Sequence, residues 1–296
     1  MNRKNHRFSI SPYLFVAPSV LLFSLTILVP IVMTFVFSFY DWNGFGQMTF
    51  TGFDNYVRAF QDRVYLLSYW HIFIYIVLTI ILEVFCGLAL AGLITMKRRG
   101  SGLFRVAFFT PVMLPMIVVS YLWKFVYNSD FGLINSVLNS IGLESWTRVW
   151  LGDPKFAIYA VTFVSGWVFA GYYMTIFYAG IQRIPNDIYE SAYLDGASNW
   201  DIFFKIKIPM IRDLVDVAIM LCVLGGFQAF DLFYVMTNGG PYNSTEIVTT
   251  YIVKVVFNNM SIGYGSALAV IMSIVIATLG IVTNKLKKKD NGTLEY

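Results

Sequence analysis

Two stretches of this 296-residue chain bring chemically useful side chains close together. The first is Gly225-Gly226-Phe227-Gln228-Ala229-Phe230-Asp231, where an amide, a carboxylate and two aromatic rings interrupt an apolar run. Aromatic faces stack on flat solutes, and Gln228 and Asp231 hydrogen-bond to hydroxyls, so the set suits a solute path. Paired glycines permit close approach of a neighbour or a kink. Tyr172 and Tyr173, near Gly166 and Gly171, offer similar chemistry. For each residue taken singly, helix packing with a structural polar contact is the competing reading. Glu83 stands in the middle of another apolar run, where a carboxylate is costly and marks a functional position by default. It either pairs within the helix bundle or lines the path, and pairing is the expectation.

The second stretch runs from Gly180 to Pro209. Asn186 or Asp187 after Pro185 can accept orphan backbone N–H bonds and start a helix. The reading is a short helix over 187–195, stopped by Gly196 as the left-handed residue. Ser198 or Asn199 then starts another, which Pro209 ends or bends. Ser191 and Ala192 are small enough for another protein's backbone to come close, while Glu190 and Asp195 offer carboxylates to a basic partner. This is a helix shaped to be gripped.

Bond-breaking chemistry has little to work with. The histidines are His6 and His71 and the cysteines Cys86 and Cys222, with no cluster at ligand spacing, so no metal site is expected. Both cysteines lie in apolar runs and read as small packing residues. His71 reads as interfacial, and Lys124 and Asp216 as residues that snorkel from helix ends. No GxxxxGK[ST] motif is present to hold ATP. A membrane enzyme acting on lipid would need a convergent His, Asp, Cys or metal set, which is missing.

The elements that position these residues follow from composition. Only 13% of residues are charged and 57% are hydrophobic, with a mean hydropathy of +0.65. A soluble domain carries about 25% charge, so an integral membrane protein fits better than a soluble enzyme, a disordered chain or a nucleic-acid binder. Six runs reach the roughly 20 apolar residues a membrane helix needs: 14–39, 70–95, 106–127, 156–181, 214–235 and 263–284. The first is too long for a signal peptide's apolar core and is read as an uncleaved helix. With six spans, both termini share a side. That side carries Arg3, Lys4 and Arg7; Lys97, Arg98, Arg99 and Arg105; Arg183, Lys205, Lys207 and Arg212; and Lys285, Lys287, Lys288 and Lys289, which is 15 of the 21 basic residues. The positive-inside bias makes it cytoplasmic. The net charge of +4 is therefore a topology signal and calls for no nucleic acid. The expected organisation is a cytoplasmic tail at 1–13, a transmembrane domain at 14–284 with a cytoplasmic loop at 182–212, and a second tail at 285–296.

Glu190-Ser191-Ala192-x-x-Asp195-Gly196-Ala197, followed by Phe203-x-x-Ile206-x-Ile208-Pro209, resembles the EAA loop of bacterial ABC importer permeases. Ser191 replaces an alanine and Ile208 a leucine of the usual pattern, both mild changes in size. The likeness extends to the carbohydrate branch of that family. Arg105, Pro111, Pro115 and Trp123 resemble its third helix, and Gly132-Leu-Ile-Asn135 with Trp150-Leu151 its next outer segment. Gly166-Trp167 resembles its fourth helix, Phe230-Asp231 through Thr237, Gly239-Gly240-Pro241 and Thr245 its FD…T.GGP…T stretch, and Gly263-Tyr264-Gly265 the start of its last helix.

The resemblance implies an all-α type I ABC importer permease fold with six transmembrane helices, in a bacterial inner (cytoplasmic) membrane. It implies no enzymatic activity and no cofactor on this chain, ATP and Mg belonging to two partner ATPase subunits. Further implied partners are a second related permease subunit forming a heterodimer, an extracytoplasmic solute-binding protein, a sugar or oligosaccharide, and the lipid bilayer. Glu190, Ser191, Ala192, Asp195, Gly196 and Ala197 fall at the ATPase contact; Phe227, Gln228, Phe230, Asp231, Tyr172, Tyr173 and Glu83 are the path candidates. Glycerol 3-phosphate or another small polar solute is the alternative cargo.

Overall fold

Apolar runs in lipid satisfy their own backbone polar groups as helices. The computed structural model, which describes residues 11–96 and 100–291, is mainly helical, with turns and loops between the helices and one antiparallel pair of short strands, Tyr40–Asp41 and Thr49–Phe50. Arg3, Lys4, His6, Arg7, Lys97, Arg98 and Arg99 lie outside the described residues.

Among the described residues, four helices are long and apolar enough to cross a membrane: Leu14–Phe37, Arg63–Ile94, Ala157–Ile181 and Ile262–Thr283. They match the expected first, second, fourth and sixth spans, the second starting earlier than residue 70. The third and fifth differ from expectation. In place of one helix over 106–127, Ser101–Met113 and Met116–Val126 meet at a bend of 101°. Leu114 and Pro115 are both extended there, with ψ of 141° and 132°. Proline crowds the residue before it out of helical geometry, and two extended residues turn the chain. In place of a helix over 214–235, Arg212–Gln228 ends and Asp231–Met236 begins anew. Ala229 and Phe230 leave helical geometry between them, and the Thr249 hydroxyl donates to the freed Ala229 carbonyl. That bond compensates the interruption.

The chain forms two compact units, one holding residues up to Gln61 with Ile252–Val275, the other Asp62–Tyr251 with the residues from Ile276 onward. In the first unit, Asn55 donates to the Ser38 and Tyr40 carbonyls at 3.0 and 2.9 Å, meeting acceptors left open where the first span ends. The Gly263 N–H reaches the Trp42 carbonyl at 3.0 Å, and a Cβ at Gly263 would collide with the Tyr40 carbonyl. Arg58 lies 4.1 Å over the Tyr264 ring. Gly263 and Tyr264 of the Gly-Tyr-Gly stretch thus serve packing.

The second unit is built around Ala157–Ile181. A Cβ at Gly87 would sit 2.9 Å from the Met174 nitrogen and the Tyr173 Cβ, and one at Gly171 would overlap the Phe108 carbonyl. Small residues at these crossings let backbones approach, which is how membrane helices gain packing energy. The core continues through Leu88, Phe177 and Ile181 to Phe203 and Ile211 of the 182–212 segment. Asn135 accepts from Trp150 Nε1 at 2.8 Å and donates to the Arg148 carbonyl at 3.0 Å, so the Gly-Leu-Ile-Asn and Trp-Leu stretches close on each other. His71, expected at an interface, is buried instead: its Nδ1 donates to the Glu246 carbonyl at 2.8 Å. A buried ring with one bonded nitrogen is a packing element.

Candidate functional site

A cavity of about 400 Å³ lies in the second unit, and Glu83, Tyr172, Tyr173, Gln228, Phe230 and Asp231 line it. The broken fifth segment supplies the last three, which lie at or beside its interruption at Ala229-Phe230. Phe227, grouped with them on sequence, is buried in the core and is not a wall residue. The reason is helical geometry, since adjacent residues point about 100° apart. Gly226 beside it is pressed against Ile76, where a Cβ would collide.

Glu83 occupies a π-helical turn, Ile80–Phe85, inside the second span. Such turns recur at functional sites because the extra residue re-aims a side chain. It is buried. Tyr75 and Ser165 hydroxyls lie 2.9 Å apart, and Ser165 donates to Glu83 Oε1 at 2.7 Å. Cys222 Sγ lies 3.5 Å from Glu83 Oε2 and 3.2 Å from the Tyr173 hydroxyl. Glu83 therefore both pairs within the bundle and lines the cavity, where two separate outcomes were expected. Cys222 contributes a polar contact rather than simple packing, and Cys86 is exposed.

In the 182–212 segment, the helix runs over Asn186–Leu194 and ends before Gly196, whose φ is +80°. No side chain caps its start; Asp187 sits in the first turn, where the helix dipole favours it. Ser198 makes a capping box with Asp201. Lys205 bonds Asp201 at 2.6 Å and, with Ser198, holds that exposed carboxyl down to a pKa of about 2. Pro209 precedes a break at Ile211, after which Arg212–Gln228 begins. Glu190, Ser191, Asp195 and Gly196 are exposed, with Ala192 and Ala197 half-buried. Ser191 turns its hydroxyl back onto the Asp187 carbonyl at 2.8 Å, which leaves a low, smooth surface. Leu194 beside them is 89% exposed and Trp200 62%.

What tethers this helix was not read from sequence. Lys207 is buried, donates to Thr95 Oγ1 at 2.9 Å and lies 5.5 Å from the Tyr189 ring centre. Burial holds its ammonium below the usual lysine pKa, and burial also raises that of Tyr189. These side chains join the end of the second span, the exposed helix and the chain after it. They share the wall of a second cavity, about 360 Å³, with Glu190.

Residues 83–288 match the family model described as binding-protein-dependent transport system inner membrane component. The chain belongs to that family. Its relatives include the probable ABC transporter permease protein YurN of Bacillus subtilis, 38% identical across 94% of this chain and 96% of the relative. Another is the probable starch degradation products transport system permease protein AmyD of Thermoanaerobacterium thermosulfurigenes, 30% identical across 94% of each chain. Among solved structures, a chain of a bacterial ABC transporter involved in import of the acidic polysaccharide alginate shares the fold, with a TM-score of 0.82 at 19% identity, covering 94% of both chains. The chain is thus an ABC transporter permease of the type I importer fold, a membrane transport component rather than an enzyme. Tyr75, Ser165 and Cys222 line the first cavity and Thr95 and Lys207 the second, and their types and spacing in the sequence do not single them out for either. Serine, tyrosine and threonine are common in spans, and only the tertiary contacts single them out. Lys207 alternates with Lys205 before Pro209, so spacing alone does not tell the buried lysine from the exposed one.

Proposed function

We propose that this permease carries a sugar or oligosaccharide through an ATP-driven importer. The observation that carries the reading is the cavity, where Tyr172, Tyr173 and Phe230 present rings beside the hydrogen-bonding groups of Glu83, Gln228 and Asp231. Pockets for such solutes combine apolar faces with a few placed polar groups. AmyD, a relative across nearly the whole chain, is named for starch degradation products. Glycerol 3-phosphate fits less well, since no lysine, arginine or histidine lines the cavity to meet a phosphate.

On this reading the chain crosses the bacterial inner membrane six times. The bent pair counts as the third span and the broken segment Arg212–Met236 as the fifth, with both termini cytoplasmic. The 14–284 segment is the transport domain, flanked by tails at 1–13 and 285–296. The basic segments on one side of that topology support it. None of the Leu14–Phe37 window is buried within the chain, which leaves its apolar surface for lipid and a second permease subunit. An extracytoplasmic binding protein delivers the sugar. Two ATPase subunits, which hold ATP and Mg, grip the Asn186–Leu194 helix. Glu190 meets a basic residue there, Ser191 and Ala192 let the partner close in, Gly196 with Asp195 and Ala197 turns the chain, and Leu194 is covered. Closure of the ATPase pair shifts this helix, and the Lys207–Thr95–Tyr189 contacts pass the shift to the second span.

Uptake of labelled oligosaccharides by membrane vesicles holding the complete importer tests this reading. ATP-dependent accumulation is expected. Accumulation of amino acids or peptides with no saccharide among the cargo overturns it.

A further inference from the structure

The walls of the central cavity carry two carboxylates, Glu83 and Asp231, and no basic residue. Glu83 is buried, and its partners among the described residues are the Ser165 hydroxyl and the Cys222 thiol. A carboxylate has about four lone-pair sites. One is taken by Ser165 and another by the weak thiol contact, so acceptor capacity remains on the cavity side. What the site lacks is a countercharge. At a buried side chain such as Glu83 that deficit is expensive, because buried charge is tolerated when paired. Asp231 lies on the same cavity and is exposed. The rings of Tyr75, Phe169, Tyr172 and Phe230 line the same cavity, and aromatic faces attract cations.

We propose that the cavity selects a saccharide bearing a protonated amine, with Glu83 as the specificity-determining residue and Asp231 reinforcing it. The inference rests on the sugar reading above and narrows it. An ammonium supplies three donors and the missing charge, so Glu83 and the rings act together on one group. A neutral sugar uses the rings and the amide but leaves Glu83 unpaired. A uronic acid or phosphorylated sugar sets like charges against each other, which is unfavourable.

The test uses the complete importer in vesicles with its binding protein at saturation, so that delivery does not limit the rate. Three matched β-linked disaccharides are compared: one of glucosamine, its N-acetylated neutral form, and one ending in glucuronic acid. Initial uptake of the glucosamine disaccharide is expected to exceed that of the neutral form by about tenfold, with the acidic one slowest. Glu83→Gln should erase the advantage, so that the aminated and neutral disaccharides enter at equal rates. Asp231→Asn, at an exposed position, should reduce it partially; it serves as the second variant if Glu83→Gln assembles poorly, as judged by copurification with the ATPases. Equal uptake of the aminated and neutral disaccharides by the unaltered importer overturns the amine inference and leaves the sugar reading intact. A preference that survives both substitutions overturns the assignment to these carboxylates. Amino acid or peptide uptake with no saccharide taken up removes the sugar reading and the inference together.

Discussion

The cavity and the Asn186–Leu194 helix solve opposite problems within one unit. At the cavity, polar groups are buried and satisfied in a connected set, Tyr75 to Ser165 to Glu83, with Cys222 bridging to Tyr173. At the helix, an apolar side chain, Leu194, stands 89% exposed beside exposed carboxylates. On the proposed function, the spare acceptor capacity of the buried set faces a solute, and the exposed apolar group rimmed by charge faces a protein surface. The first site is held by contacts between distant segments, the second mainly by local caps and one tether. Changes at the two should therefore fail differently, one through specificity and stability, the other through coupling.

The largest effect is expected where that contrast is sharpest. Glu190→Lys, and separately Gly196→Val, should cut ATP-driven uptake by at least about tenfold while the membrane level stays near that of the unaltered permease. The Gly196 backbone has φ +80°, and a left-handed β-branched residue costs on the order of 1–2 kcal/mol. Uptake at the normal rate in both would break the division between a coupling region and a solute region. Next, Gly171→Val should destabilise the purified permease by about 1–3 kcal/mol or more, because its side chain overlaps the Phe108 carbonyl. Detergent thermal melts would show it as lost stability in a variant whose exposed helix is intact. Ser165→Ala comes third. It leaves Glu83 and the Tyr75 hydroxyl each short of a partner, at about 1–3 kcal/mol, and melting together with uptake would register it as a stability and cargo defect. Lys207→Met should lower uptake a few-fold at unchanged assembly with the ATPases, marking the tether that joins the two regions.

The smallest effect is at Asp201. Its carboxyl is held from 3.8 down to about 2 by Lys205 and Ser198. A lowered folded-state pKa contributes stability above the unfolded value, and that contribution disappears as pH falls through the folded one. Amide exchange at Ser198–Ile202 should therefore be slower in the unaltered chain than in Asp201→Asn above about pH 4, and the two should converge near pH 2. A difference that persists at pH 2 would assign the protection to helix packing instead of the cap.

Much of the exposed helix was legible in the residues themselves. Pro185, Gly196, Ser198 and Pro209 act locally, so their order is enough to place a start, a stop, a cap and a bend. Four spans were legible for a similar reason, since an apolar run long enough to cross a membrane declares its own helix. The third and fifth segments were not, because apolar content says nothing of direction. Leu114-Pro115 turns the chain by 101°, and Ala229 breaks a helix whose freed carbonyl is satisfied by Thr249, twenty positions along the chain. Phe227 and Phe230 look equivalent in sequence, yet one is core and the other cavity wall.

The sequence by itself determined that the chain is a membrane protein of this permease family and where its local helix signals lie. Composition, charge placement and capping residues act through near neighbours and through lipid, and both can be read along a line. Which polar residues meet in the interior was decided by tertiary structure alone. Glu83, Ser165 and Cys222 come from three separate helices, and only glycine-permitted close packing brings them within hydrogen-bonding reach. The charged residues, 13% of the chain, thus divide in physical terms. Those in contact with water could be placed by counting, while Glu83, placed by three-dimensional packing, had to be seen.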